Sequence, residues 1–191
     1  MGESVRGHPD SDAQSGLNHR SEFPKYVATA DIIWIAAFLC VVIINIWFGV
    51  HNYGEAKKVA EIKANAERLL HWVSEKGPLR EKGQEVLSGC NDPKGLWQDC
   101  LAALIIPGGP FESFKNHLEP QGQIFSDSCD RGDLKTLGSI VIERGTAKPL
   151  DPSSMTYSKM PASQDLSGRL PLKIFICGRS FHPMNVGEAI F

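Results

Sequence analysis

The residues of this chain that could carry out covalent chemistry lie near its C-terminal end. Cys177 and His182 stand close together in CGRSFHP, and His117 lies upstream. A catalytic cysteine needs a histidine that the fold brings to its sulfur. Cys177, however, stands in a segment with the pattern of a strand, and we expect it to pair with another cysteine. The sequence therefore predicts no enzyme activity.

Two further sequence patterns could indicate binding sites, but the spacing and the neighbouring residues support neither. The histidines never approach metal-ligand spacing, and no phosphate-binding glycine loop follows a strand, so we expect no metal and no cofactor. Arg131-Gly132-Asp133 spells a cell-attachment tripeptide, but a chain of this length contains it by chance in roughly a few per cent of cases. Its surroundings, SDSCDRGDLK, are typical of a turn. We interpret the tripeptide as part of that turn, and no small-molecule substrate is evident.

The cysteines indicate disulfides rather than a metal site. Cys40 lies in an apolar stretch, and the other cysteines contain no C-x-x-C spacing, so structural zinc is not expected. An even set in a membrane-tethered domain suits an oxidising compartment. Cys90, Cys100, Cys129 and Cys177 allow three pairings. The short loop CNDPKGLWQDC favours Cys90–Cys100, with Cys129–Cys177 as the second pair; reduced, buried thiols in a cytosolic domain are the alternative.

The longest uncharged stretch of the chain, Ile32 to Val50, lies near its N-terminus. At about 1.5 Å per helical residue it covers roughly 28 Å, close to the thickness of a bilayer core. A secretory signal has a shorter apolar region of about 7–15 residues and a small-x-small cleavage site. Trp34 and Trp47 stand near the two ends, where tryptophan prefers the membrane interface. The pattern predicts a transmembrane helix over residues 28–50; a core helix is the alternative, and it would need a larger surrounding domain.

The charges beside this stretch do not decide which end lies in the cytoplasm. The same number of lysine and arginine residues stands on each side of the stretch, so the positive-inside rule favours neither orientation. The expected disulfides decide the orientation, because disulfides persist in oxidising compartments. We therefore expect a single-pass protein of a bacterial inner membrane with its C-terminal part periplasmic or extracellular; the lack of an Asn-x-Ser/Thr sequon favours the bacterial source. The flanking cations are Arg6, Arg20 and Lys25 before the stretch and Lys57, Lys58 and Lys63 after it.

The remaining segments differ in composition. Residues 1–27 are polar and predict a disordered tail or leader, residues 51–77 an amphipathic helix, and residues 78–191 a folded head. Apolar residues in the second segment recur at the helical period, and Gly77-Pro78 is expected to end that helix. The apolar stripe could pack on the chain's own sheet or, alternatively, form a short coiled coil. Its members are Val59, Ile62, Ala66, Leu69 and Val73.

Within the head, a helix comes first and strands follow. Residues 94–106 have the pattern of a short amphipathic helix. Residues 138–145, 170–179 and 186–191 are rich in β-branched and aromatic residues and predict strands. The Pro- and Ser-rich residues 146–168 predict a long loop. This order predicts an α+β fold with a small antiparallel sheet.

An acid, Asp31, stands at the start of the apolar helix. Its carboxylate could accept backbone N–H groups and oppose the positive end of the helix dipole. The whole plan (a leader, an apolar helix with an acid near its start, an amphipathic continuation and a cysteine-bonded α+β head) resembles the architecture of type IV pilins and pseudopilins. In that family a peptidase removes the leader, and the acid at the fifth mature position contacts a neighbouring subunit's N-terminus.

This resemblance implies specific roles for a few residues. Val27 would be the first mature residue, Asp31 the subunit contact, and Cys129 and Cys177 the disulfide of the head. The glycine that the family has before the cleavage point is absent here, and the family's acid is usually glutamate rather than aspartate. Members of that family assemble through bundled apolar helices and have no enzyme site.

The sequence thus predicts a membrane-anchored extracytoplasmic protein with a structural or interaction role. The resemblance implies a pilin-like subunit of a filament or envelope assembly, with copies of itself as partners. A static accessory subunit that packs on other membrane-protein helices is the alternative. Asn45 would favour such contact, because an amide in lipid seeks a partner, unless it bonds within its own helix.

A ligand-binding sensor head is a further alternative. A sensor needs a cytoplasmic output module, and the polar N-terminal segment is too short to form one. Nucleic-acid binding is not expected, because a formal net charge of −2 gives no basic field for phosphates.

Overall fold

The structure is a computed structural model that describes residues 29–149, 151–161 and 163–191. The predictions for residues 1–27, including the new N-terminus at Val27, lie outside the described residues. The chain forms two compact units, one ending at Trp47 and the other running from Phe48 to Phe191. The helices are α1 (Thr29–Glu81) and α2 (Trp97–Ile105); the strands are β1 (Phe125–Ser126), β2 (Ile140–Lys148), β3 (Asp151–Lys159), β4 (Pro171–Cys177) and β5 (Pro183–Ile190).

The α+β class is confirmed, as are helical structure over the apolar and amphipathic segments, the short helix and the three strands, but the predicted antiparallel sheet is a mixed one. The strand order is β1-β2-β4-β5, and β3 also pairs with β2. The β2–β3, β2–β4 and β4–β5 pairs are antiparallel, whereas β1 runs parallel to β2, with Phe125 opposite Ile140. A parallel pair needs a connection of about a dozen residues. The stretch between β1 and β2 supplies it.

The prediction of a long loop over residues 146–168 is also wrong. Much of that segment is β3, which forms a hairpin with β2 and places Gly145 opposite Tyr157. The sequence of β3, DPSSMTYSK, is mostly polar, so its pattern is not that of a buried strand. As an edge strand, β3 is also of the kind to which proline within sheets is largely confined.

The helix does not end at Gly77-Pro78 as predicted; α1 continues to Glu81. The last turn is held by the guanidinium of Arg80, which donates to the backbone carbonyls of Leu166, Gly168 and Phe191. The same guanidinium lies 4.6 Å from the centroid of the Phe191 ring. These tertiary contacts outweigh the local cost of a proline within a helix, about 3 kcal/mol.

The apolar stripe of α1 packs on the chain's own sheet, which is the first of the two predicted arrangements, rather than forming a coiled coil. Ile62, Ala66, Leu69 and Val73 are buried in one core with strand residues such as Ile174. The apolar residues of the stripe recur at the helical period because only one face of this part of α1 packs against the sheet.

Two glycines allow the helix and the sheet to approach closely. A Cβ on Gly77 would lie 3.0 Å from the carbonyl carbon of Ile190 and nearer still to its oxygen. A Cβ on Gly187 of β5 would lie 2.5 Å from Cδ2 of Leu70. Strand β5 is therefore seated directly against α1.

Candidate interaction surfaces

The N-terminal part of α1 exposes apolar side chains on every side. Between Thr29 and Trp47 every residue is exposed except Val42, which is half-buried. Trp34 is 74% and Trp47 66% exposed. By length and composition this helix could cross a membrane. Burial of this surface in an apolar environment would be favourable, because apolar burial is worth about 25 cal/mol per Å².

The two polar residues singled out in this region lie at different depths. Asp31 is in the first turn of α1, where a carboxylate opposes the positive end of the helix dipole. Asn45 lies within the apolar stretch, and its Nδ2 donates to the carbonyl oxygen of Val41 at 2.7 Å. The amide of Asn45 therefore takes the second of its two predicted roles and bonds within its own helix. Subunit contact through either residue stays a prediction.

A small ion-pair cluster lies just beyond the apolar stretch. Glu55 accepts a hydrogen bond from Nζ of Lys58 at 3.1 Å, and its carboxylate forms an ion pair with a guanidinium nitrogen of Arg179 at 2.9 Å. The hydrogen bond from Lys58, with the positive charges of Lys58 and Arg179, holds the pKa of the Glu55 carboxyl below its ordinary value. The pair with Arg179 ties the start of the head's helix to the turn between β4 and β5.

That turn, Gly178–Pro183, has a strained backbone and will be called the β4–β5 turn. Ser180 and Phe181 both adopt positive φ angles, 58° and 56°. Side chains other than glycine rarely occupy this region, and such residues cost about 1–3 kcal/mol each. The turn is held by hydrogen bonds from the amide of Gly178 to the carbonyl of His182 at 3.0 Å and from Phe181 back to Gly178 at 3.1 Å.

The head cysteines lie at disulfide distance in the pairing that the short loop favoured. The sulfur atoms of Cys90 and Cys100 are 1.98 Å apart, and those of Cys129 and Cys177 are 1.95 Å apart. Cys177 directly precedes the β4–β5 turn, so its bond to Cys129 fixes the base of that turn. In this state Cys177 has no thiolate to offer to His182. Cys40 is unpaired and exposed on the N-terminal helix.

Two depressions in the head bear on the sensor alternative. A cleft of 160 Å³ lies between α2 and the sheet, lined by Trp97, Phe125 and Met160. Pockets for small molecules usually measure about 300–1,000 Å³. A larger hollow of 470 Å³ beside Gly89 and Ala103 is open to solvent. Neither favours a specific ligand, and among residues 29–149, 151–161 and 163–191 no group of three or more metal-binding side chains is assembled.

The Arg-Gly-Asp tripeptide lies in a turn, as predicted. The carboxylate of Asp130 accepts from the amide of Gly132 at 2.8 Å, and that of Asp133 from the amide of Lys135 at 3.0 Å. The carboxylates of both aspartates thus stabilise the turn of the local backbone. His117, the remaining candidate for chemistry, lies 3.2 Å from the carboxylate of Glu61.

No protein-family model, curated protein or solved structure matches this chain. The functional argument therefore depends on the molecule's own surfaces.

Sequence reasoning missed two residues that organise these surfaces. Asn116 is nearly buried; its Nδ2 donates to the carbonyls of Gln123 and Leu137, and its Oδ1 accepts from the amides of Leu118 and Glu119. It fixes the path of the chain around β1. Arg80, described above, fixes the far end of α1. Arg80 binds backbone atoms far along the chain, and Asn116 binds the carbonyl of Leu137 as well as nearer backbone atoms, so local spacing alone could not have revealed either role.

Proposed function

We propose that this chain is a membrane-anchored extracytoplasmic structural subunit of pilin-like type. In this proposal the helix up to Val50 spans the inner membrane of a bacterium, the head lies outside the cytoplasm, and copies associate through their apolar helices. The observation that carries the proposal is the contrast within α1: its N-terminal part exposes apolar side chains all round, and its C-terminal part buries one stripe.

The energetic argument for a membrane is direct. Burying one large apolar side chain is worth about 1.5–3 kcal/mol. Summed over the exposed apolar residues between Ile32 and Val50, the stabilisation is on the order of tens of kcal/mol. Lipid, or lipid together with neighbouring helices, can bury these side chains and so provide stabilisation of that magnitude.

The two cysteine pairs support a location of the head outside the cytoplasm. Both pairs lie at disulfide distance in the head, and disulfides persist in the periplasm and outside the cell rather than in the cytosol. The polar N-terminal segment would then remain cytoplasmic. The cleft beside Trp97 is smaller than ordinary ligand pockets, so a structural role is preferred to a sensor.

Self-association can be tested by cysteine scanning in the native membrane. In a Cys40→Ser chain, single cysteines would be placed at successive positions from Ile35 to Ile46 and oxidised. We expect cross-linked dimers of this chain at positions that recur every three or four residues. Cross-links to a different protein would identify the accessory-subunit alternative, and a chain that forms no cross-link at any position would contradict both.

The pilin-like form of the proposal has its own test. If a leader is removed, the chain isolated from its native membrane begins near Val27, and Asp31 then stands at the fifth mature position. N-terminal sequencing of the native protein measures this directly. An intact Met1 would leave a membrane-anchored subunit but not a processed pilin.

A further inference from the structure

We propose that the β4–β5 turn is a second membrane contact, which sets Arg179 and Phe181 against the phospholipid headgroups beside the end of the apolar helix. This inference depends on the proposed function, because it requires that the apolar stretch span the membrane. It goes beyond that function by assigning a lipid contact to the head itself.

The first argument is position along α1. The apolar stretch ends at Val50, and Glu55 follows about 7.5 Å farther along the helix. Arg179 lies 2.9 Å from the carboxylate of Glu55, so the turn stands at the same level. The headgroup layer on each side of a bilayer core is about 5–7 Å thick. Val50, Glu55 and the turn all belong to the second compact unit, and within that unit the distance along the helix from Val50 to the level of the turn is comparable to the thickness of the headgroup layer.

The second argument is the chemistry of the turn. The side chain of Arg179 is 51% exposed although it contacts Glu55. Phe181 is half-buried, and His182 is exposed. A cation and an aromatic residue in one turn suit the membrane interface, where an aromatic ring lies among headgroup carbons and a guanidinium meets phosphate oxygens.

The third argument is the local balance of charge. Glu55 is shared by Lys58 and Arg179, so two cations surround one acid, and exposed Lys57 adds a further positive charge. Juxtamembrane cations attract phospholipid phosphates within a Debye length. This net positive charge complements a lipid surface.

The fourth argument is rigidity. Two consecutive residues, Ser180 and Phe181, are held at positive φ, and Cys177 at the base of the turn lies at disulfide distance from Cys129. Strained residues persist only where their surroundings hold them, and they cluster at functional sites. A lipid contact gives a reason for keeping phenylalanine where glycine would relieve the strain.

The test uses the full chain in vesicles of phosphatidylcholine and phosphatidylglycerol, with one spin label per chain. His182→Cys in a Cys40→Ser background carries the label in the turn, where φ is an ordinary −92°. Lys82→Cys carries the control label, about 40 Å farther along the direction of α1. Collision of the label with a water-soluble nickel complex is measured by electron paramagnetic resonance.

We expect the label at position 182 to collide with the nickel complex several-fold less often than the label at position 82. Arg179→Gln combined with Phe181→Gly should raise the collision rate at position 182 towards the control value. Glycine accepts positive φ, so the double variant keeps its turn. Equal rates at the two positions, or a rate at 182 that the double variant leaves unchanged, would overturn the proposal.

A label on native Cys40 separates this inference from the proposed function. If Cys40 is shielded from the nickel complex while position 182 is as accessible as position 82, the span is correct and the lipid contact of the turn is wrong. If Cys40 is itself open to the nickel complex, the membrane anchor has failed, and the turn contact fails with it.

Discussion

The two parts of α1 share one backbone conformation and differ in what surrounds them. From Thr29 to Trp47 most side chains are apolar and exposed, and they face all directions, whereas from Phe48 to Glu81 apolar residues at helical spacing enter a core and the other faces carry charge. A helix that is apolar all round belongs in an apolar environment, and one with an apolar stripe belongs on the surface of a folded domain. The distribution of side chains, rather than helix propensity, therefore distinguishes the two parts of α1.

The comparison also shows where the stability of the head comes from. The stripe of α1 meets the sheet closely enough that Gly77 and Gly187 have no room for a Cβ, while Gly49 and Gly54 have open space around them. Packing is thus tight where the stripe of α1 meets the sheet and loose nearer the apolar stretch. The next three predictions each compare a change at a tertiary contact of the head with the same change at a more exposed position of α1.

The largest effect is expected from shortening a buried leucine. Leu69 is completely buried, and Leu39 is 52% exposed. Leu69→Ala should lower the free energy of unfolding of the head by about 2–5 kcal/mol, because it leaves a cavity. Leu39→Ala should change it by less than about 0.5 kcal/mol. Chemical denaturation of the full chain in detergent micelles measures both; similar losses for the two variants would contradict the division of α1.

A smaller effect, opposite in sign between its two sites, is expected from glycine to alanine changes. At Gly77 the added Cβ meets the backbone of Ile190, and such overpacking costs about 1–3 kcal/mol. At Gly54 nothing lies within 4 Å of the new Cβ, so Gly54→Ala should stabilise the helix by about 0.5–1 kcal/mol. Thermal unfolding of both variants tests the prediction. A stabilising Gly77→Ala would show that β5 is not seated against α1.

The smallest effect concerns pH. The pKa of the Glu55 carboxyl is held below its ordinary 4.5 by Lys58 and Arg179. A carboxylate with a lowered pKa stabilises the folded state above its unfolded pKa, and that stabilisation is lost as pH falls through the folded value. Glu55→Gln should therefore make the melting temperature fall less steeply between pH 6 and pH 3, two test conditions chosen to bracket about 4.5.

Glu67→Gln is the control for that experiment, since Glu67 pairs more loosely with Lys63 at 3.7 Å, with both side chains about half exposed. The melting temperature of this variant should follow that of the unchanged chain across the same pH range. If Glu55→Gln also leaves the pH profile unchanged, the ion pair between α1 and the β4–β5 turn does not persist in solution.

Much of the fold could be predicted from local patterns. The helical stripe and the short helix α2 show apolar residues at the period of an α-helix, and the apolar stretch is recognised by its length and lack of charge. The strands β2, β4 and β5 are rich in β-branched and apolar residues. The short separation of Cys90 and Cys100 favoured the pairing that the structure places at disulfide distance.

The rest depends on contacts between distant residues. Strand β3 has a polar, Pro-containing sequence and exists because β2 offers it a partner. The two-residue strand β1 is positioned through Asn116, whose amide binds the backbone at Gln123 and Leu137. The last turn of α1 survives Pro78 because Arg80 binds carbonyls far along the chain. Apart from Gln123, which follows Asn116 by seven residues, these partners lie outside any short window of neighbouring residues.

The central claim, that the apolar part of α1 lies in lipid with the head on the outer side, is tested most directly by thiol labelling of intact cells. Cys40 is an exposed side chain in the structure, so only lipid or a partner helix can shield it. A membrane-impermeant maleimide would be added from outside to the unchanged chain and to a Cys40→Ser, Lys57→Cys chain.

We predict that position 57 is labelled at once and that Cys40 is labelled only after the membrane is dissolved in denaturing detergent. Rapid labelling of Cys40 in intact cells, or recovery of the unchanged chain in the water-soluble fraction, would contradict the account.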